Sequence, residues 1–351
     1  MHAGPPGDEI PFPSRSIPET EPAVTQALTV ISRALDDMSN RETRPLLDPP
    51  TRPYRLRPLP GSSLAFFPVM LSTAPFGSTV APEQAGRILA AYLSAGGNAL
   101  DVADTGDDES LAGVGALLNG SGARDRVVLS ARVGLHPTEP GLSASRLIAA
   151  VNRLLSALRT DRIELLALAR HDRATPVEET LTAAEALVAA GKVRHLAADE
   201  HSGDRLIEAR VLAGQRGLPF LAAVRPVYNL VERGPYERYV APVAAAQGLG
   251  VFPRAPLAGG VLAAAKRRRG DDRQPALPRR SQRIAGVVQE IARDRQVAPA
   301  SVALAWLATR PSVVAPVVSA TSPEEVAAVV GATAVHLTRA EAAALDRVSG
   351  V

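Results

Sequence analysis

Residues 302–330 read VALAWLATRPSVVAPVVSATSPEEVAAVV. The centre of this stretch, VVAPVVS (313–319), is short, apolar and rich in β-branched residues, as a buried strand requires. PEEVAAVVGATA (323–334) follows it, with proline and two acids opening an amphipathic run, the signature of a helix start. A strand that feeds directly into a helix is one unit of a parallel α/β architecture.

The same alternation runs back along the chain. VMLST (69–73), NALDVA (98–103), VVLSARV (127–133), IELLALAR (163–170), HLAAD (195–199), LAAVRPV (221–227) and GVFPRA (250–255) are further strand candidates. A helical stretch follows each, such as EQAGRILAAYLSAG (83–96) and SASRLIAAVNRLLSALR (143–159). An extra helix, SQRIAGVVQEIARDRQ (281–296), lies between the seventh strand and its main helix. Eight strand–helix units predict a (β/α)8 TIM barrel rather than an open sheet. A hairpin, YRLRPL (54–59) and SLAFFPV (63–69) joined around Pro60-Gly61, precedes them. Residues 1–53 form a separate proline-rich arm, and residues 54–351 the barrel. Within the arm Leu28, Ile31, Leu35 and Met38 recur at helical spacing. The spacing predicts a helix over 21–38 whose apolar face packs on the barrel or joins a second copy as a homo-oligomer contact.

Composition excludes several classes. With 46% apolar and only 3% aromatic residues, the chain is globular and its core rests on Val, Leu, Ile and Ala. No cysteine is present, so disulfides and thiol chemistry are excluded, and a cytoplasmic home is expected. No apolar run reaches about 18 residues, so no membrane span is expected; the first residues lack a signal pattern. A net charge of +3 is no basis for nucleic-acid binding. Lys192 and Lys266 are the only lysines, an arginine bias that suits a GC-rich, actinobacterial genome. The basic run KRRRGDDRQPALPRRSQR (266–283) is interrupted by Asp271 and Asp272 and reads as a solvated loop.

GGNALDVAD (96–104), ETLTAAEALVAAGKVRHL (179–196), PVYNLVER (226–233), APLAGGVL (255–262) and residues 302–330 together resemble the aldo-keto reductase family, in its order, from Tyr54 to Gly350. The resemblance implies an NADPH-dependent carbonyl reductase with a tyrosine, lysine, aspartate and histidine at the strand ends. Carried over by position, the aspartate is kept as Asp101. The tyrosine falls at Gly106, the lysine at Arg132 and the histidine at Ala169. A guanidinium stays charged and cannot join a proton relay at neutral pH, and no phenol is left to protonate an alkoxide. The family's Ser-Asn grip on the nicotinamide becomes Asp199-Glu200, its glutamine Arg225, and its stacking tyrosine Arg254. Thr321 stands for the arginine at the 2′-phosphate, and Glu325 and Val329 for the adenine contacts. NADPH is therefore disfavoured as a cofactor, although Ser322 still opens a helix that could hold a phosphate.

The replacements are charged rather than neutral, and they fall on one face. They read either as a salt-bridge network filling a vacated pocket or as a rebuilt site for a polar or anionic small molecule. In the second reading Asp101, Arg132, Asp199, Glu200 and His171 are the candidate catalytic residues. Arg225, Arg254, Asp104, Arg170 and Tyr228 are the candidate ligand contacts, with Tyr228 more ordinarily structural. His201 shares the ambiguity of His171: a surface-loop residue or an acid–base group. DTGDDES (104–110) reads as a solvated turn, with metal binding through its oxygens the lesser reading. Three functions compete. One is a non-redox acid–base enzyme, of cyclase, dehydratase or isomerase type, on an oxygenated metabolite of biosynthesis. Another is a non-catalytic binding or assembly partner. The last is an NADPH-dependent reductase with an unorthodox site.

Overall fold

The computed structural model describes Thr29 and residues 54–105, 107–169, 172, 174–263 and 277–350. The arm's predicted apolar face, most of the basic run, Gly106, Arg170 and His171 lie outside the described residues.

The hairpin is β1 (Arg57–Pro58) and β2 (Ala65–Phe66), paired antiparallel. Eight parallel strands follow: β3 (Met70–Ser72), β4 (Ala99–Ala103), β5 (Val128–Val133), β6 (Ile163–Leu168), β7 (Val193–Asp199), β8 (Leu221–Arg225), β9 (Gly250–Val251) and β10 (Val317–Ser319). They lie in the order β10-β3-β4-β5-β6-β7-β8-β9. The ring closes beside β9, where Val251 donates to Ser312 O and Val314 donates to Val251 O, both at 2.8 Å. The flanking helices are α1 (Pro82–Ser94), α2 (Asp108–Gly120), α3 (Ala144–Leu158), α4 (Val177–Ala189), α5 (Gly203–Arg216), α6 (Ala241–Gln247), α7 (Arg279–Asp294), α8 (Pro299–Ala308), α9 (Pro323–Gly331) and α10 (Arg339–Ser349). The (β/α)8 barrel, its leading hairpin and the extra helix α7 are those the sequence predicts.

The hairpin seals the barrel at the ends where strands begin. Phe67 N donates to Asn98 Oδ1, just before β4, at 2.7 Å. Leu59 fills the space beside Gly250, at the start of β9. Phe66 packs edge-on against Phe252 inside. Above this floor the interior is narrow and small-sided, with Ala99, Ala167, Ala197 and Ala223. The outer core is aliphatic and lies between sheet and helices. The glycine pair that opens GGNALDVAD is required by two tyrosines. A Cβ on Gly97 would meet the Tyr92 ring at 2.4 Å, and Gly96, at φ +89°, sits against the Tyr54 hydroxyl. Tyr92 in turn donates to Val69 O at 2.7 Å and accepts from Ala99 N at 3.2 Å, tying α1 to two neighbouring strands. No helix among the described residues is long and apolar enough to cross a membrane.

Candidate functional site

The strands end at the mouth, opposite the floor, and there the charged residues meet. Asp101 of β4, Ser130 of β5 and Arg225 of β8 form a hydrogen-bonded set, with the buried Arg225 Nε left without a hydrogen bond among the described residues, 3.7 Å from Asp199 Oδ1. Arg225 Nη1 and Nη2 donate to Asp101 Oδ1 and Oδ2 at 2.7 and 2.9 Å. Ser130 Oγ donates to Asp101 Oδ1 at 3.1 Å and accepts from Arg225 Nη1 at 3.0 Å. All three are buried, Arg225 to 1% exposure. Such a pair survives burial because both oxygens and both terminal nitrogens are satisfied. Burial acts to lower the Arg225 pKa, but Asp101 and Asp199 outweigh it and hold the guanidinium above its ordinary value.

A second, looser set lies above the first. Arg254 donates to Glu200 in a short charge-assisted bond and reaches Asp199 Oδ2 at 3.5 Å. Arg132 approaches Asp199 Oδ2 at 3.7 Å and Asp101 Oδ2 at 4.0 Å, ion-pair separations beyond hydrogen-bond range. Buried Arg132 Nε and Asp199 Oδ1 have no hydrogen-bond partner among the described residues. Burial lowers the pKa of Arg132, against the pull of Asp101 and Asp199. Burial likewise pushes the Asp199 carboxyl above the usual carboxylate range, and the surrounding arginines only partly offset it. Such a carboxyl, with Oδ1 beyond hydrogen-bond range of its nearest described cation, Arg225 Nε at 3.7 Å, is suited to giving and taking a proton.

The backbone holds the second set in an uncommon conformation. Glu200, directly after β7, has φ +56°, and Ala255, directly after Arg254, has φ +47°. Left-handed backbone at non-glycine residues is costly and persists where surroundings over-determine it. Here it falls at both segments that carry the Arg254–Glu200 pair. Two clefts meet at Arg132 and Arg254. One, of about 530 Å3, is lined by Arg132, Arg254, Leu257, Thr321, Glu325 and Val329, among others. The other, of about 680 Å3, is lined by Arg132, Arg146, Asp172, Asp199, Glu200 and Arg254, among others.

Several of the expected ligand contacts already have partners within the protein. Arg225 spends both terminal nitrogens on Asp101 while lining the first cleft. Asp104, directly after β4, is 1% exposed and is held by Arg153 of α3, with Nη2 at 3.0 Å from Oδ2. The Tyr228 hydroxyl donates to Glu237 at 2.7 Å and its ring packs on Tyr236 and Trp306, which matches the structural reading. Asp107 of the acidic turn caps α2, its side chain accepting from Ser110 N at 3.0 Å. His201 lies near the mouth, with Nδ1 3.2 Å from Asp199 O. Glu325 folds back so that its Oε2 accepts from Thr321 N at 2.7 Å and Thr321 Oγ1 at 3.0 Å, at the start of α9. Ser130 was not singled out in the sequence; its position on the strand beside Asp101 was the available signal. Arg153 offered none, being one of many arginines on helices.

A family model described as the Aldo/keto reductase family matches residues 69–349. The chain is 29% identical over 273 residues to "Uncharacterized oxidoreductase YrpG" of Bacillus subtilis (strain 168), covering 71% of this chain and 81% of that protein. It is 29% identical over 258 residues to "Probable voltage-gated potassium channel subunit beta" of Oryza sativa subsp. japonica, covering 68% and 78%. It is 32% identical over 214 residues to "Aldo-keto reductase AMT2" of Alternaria alternata, covering 59% and 58%.

Proposed function

The chain belongs to the aldo/keto reductase family, and we propose that it has left NADPH-dependent reduction for proton-transfer chemistry on an oxygenated small molecule. The observation that carries this reading is the pair Arg132 and Asp199. The first is a guanidinium at the meeting of two clefts with no hydrogen bond among the described residues, and the second is a buried carboxyl with a raised pKa, one oxygen of which has no hydrogen bond among them and faces Arg225 Nε at 3.7 Å. Arg132 orients an oxygen of the bound molecule. Asp199 exchanges the proton, in a step of dehydration, cyclisation or isomerisation type. Arg254 and Glu200 shape the rim.

The groove does not suit NADPH. Arg254 replaces an aromatic stacking surface with a cation, which would meet the positive charge of the oxidised nicotinamide. Carboxylates stand where a neutral amide grip is needed. At the start of α9 the Glu325 carboxylate already takes the Thr321 N–H that a phosphate would use. The test is calorimetric titration with NADPH, together with its consumption in the presence of a reactive aldehyde. No saturable binding and no turnover are expected. A dissociation constant in the low micromolar range with turnover would overturn the proposal.

A non-catalytic binding partner is the second reading. It is favoured by the hydrogen-bonded Asp101–Ser130–Arg225 set, and a relative named as a potassium channel subunit keeps it in view. Loss of all ligand response with mouth variants that fold normally would move the assignment to it.

A further inference from the structure

Among its described residues, the cleft bounded by the segment after β9 and by α9 carries charge only near its two ends. At the inner end are Arg132 and Arg254, with Asp101 and Arg225 beneath them; toward solvent is Glu325, exposed on the first turn of α9. Between these, its described walls are apolar or small, including Leu257, Ala263, Ala300, Val317, Ala328 and Val329. Its volume of about 530 Å3 is in the range of small-molecule sites.

We propose that this groove binds an amphipathic monocarboxylic acid, with its carboxylate on Arg132 and its hydrocarbon portion along Leu257, Ala328 and Val329. The proposal rests on the reading that the groove does not take NADPH. Arg132 has the donors to hold such a head group. Its nearest described carboxylate oxygens are 3.7 and 4.0 Å away, so its planar fork is uncommitted to hydrogen bonds among the described residues. A carboxylate matches that fork in shape and charge. The inner cluster holds Arg132, Arg225 and Arg254 against Asp101, Asp199 and Glu200, and is neutral when all are ionised. Burial raises the pKa of Asp199, the direction in which an incoming anion would also push it, so proton uptake there can accompany carboxylate binding. Glu325 works against a second anion at the other end. That selects a monocarboxylate over a dicarboxylate or a phosphorylated ligand. The described walls between bury hydrocarbon and offer no further charge.

Calorimetric titration of the full chain with octanoate, methyl octanoate, acetate and NADPH tests this. Octanoate is expected to bind saturably. Its methyl ester, which lacks the charge, and acetate, which lacks the chain, are each expected to bind about tenfold or more weakly. Arg132→Met is expected to weaken octanoate by about tenfold or more. Ala328→Phe fills the groove without touching the charges and is expected to do the same. Circular dichroism checks that each variant is folded, and if Arg132→Met does not fold, Ala328→Phe with the ester comparison decides. Absence of saturable octanoate binding, equal affinity for the ester, or unchanged affinity in folded variants would overturn the proposal while NADPH stays silent. Tight NADPH binding in the parallel titration would instead overturn the reading beneath it.

Discussion

Arg225 spans the barrel interior from β8 to β4 and sets its two terminal nitrogens on the two carboxylate oxygens of Asp101, at 2.7 and 2.9 Å. A fully buried pair of this kind is weakly stabilising as a whole and strongly destabilising when one half is removed. Arg225→Met is therefore expected to cost about 3–5 kcal/mol, because buried Asp101 loses both charge-assisted hydrogen bonds and keeps only Ser130 and the more distant Arg132. Adding Asp101→Leu should recover a large part of that loss. Urea unfolding of the two single variants and the double variant measures the coupling. Simple additivity of the two losses would show that the pair is not the unit described.

Asp199 has the opposite signature to an ordinary surface carboxylate. Its folded pKa is raised, by burial first, so the native state holds the proton more tightly than the unfolded chain. Its contribution to stability is therefore most favourable below the usual aspartate value, and is lost as pH rises through the interval up to the raised folded value. The difference in unfolding free energy between the wild type and Asp199→Asn should change in that sense across the interval. Carboxylates common to both proteins cancel in the difference. A pH-independent difference would contradict the placement of Asp199.

Returning the family's missing groups, as Gly106→Tyr with Arg132→Lys and Ala169→His, is expected not to yield a working reductase. A proton donor is useful only when a hydride donor is held beside it. Arg254, Asp199 and Glu200 would still occupy the nicotinamide side. NADPH oxidation by the triple variant with a reactive aldehyde, at rates usual for carbonyl reductases, would refute this.

Two helical glycines should respond with opposite signs. A Cβ on Gly115 of α2 would lie 2.5 Å from the Leu158 carbonyl oxygen at the end of α3, so Gly115→Ala forces the helices apart. A loss of about 1–3 kcal/mol is expected. Gly214 of α5 is exposed and has open space around its missing Cβ. Gly214→Ala should stabilise by about 0.5–1 kcal/mol through helix propensity alone. Thermal unfolding of both variants checks the signs.

Glu341 caps α10 through Thr338 and pairs with Arg295, whose Nη2 lies 2.6 Å from its Oε2. The hydrogen bond from Arg295 is the main reason its pKa falls to about 2. Its stabilisation should be complete above the ordinary glutamate value and disappear as pH falls toward about 2. Glu341→Gln should thus lower the melting temperature at neutral pH and converge with the wild type in acid. A gap that persists at the lowest pH would mean the effect is packing rather than charge.

The strands were legible because each is a short apolar run bounded by turn residues, and a parallel barrel buries both faces of its strands. Their ends were less so. IELLALAR extends to residue 170 as a sequence pattern, yet β6 ends at Leu168; GVFPRA shrinks to a two-residue β9, with Arg254 rejoining the sheet only through a bridge to Val227. For the mouth, the fold indicated which residues end strands, but not which partner each would choose. Asp101 and Arg225 are 124 residues apart, and Asp104 and Arg153 are 49 apart. Those choices depend on side-chain reach across a closed ring, which local pattern does not encode.

The hairpin floor also fixes how the molecule can be handled. Tyr54 sits with Gly96 and Phe67 at the sealed end, while the charged mouth opens at the other. A label attached near Tyr54 is therefore held away from the mouth, whereas labels near Thr321 or Gly141 would crowd its entrance.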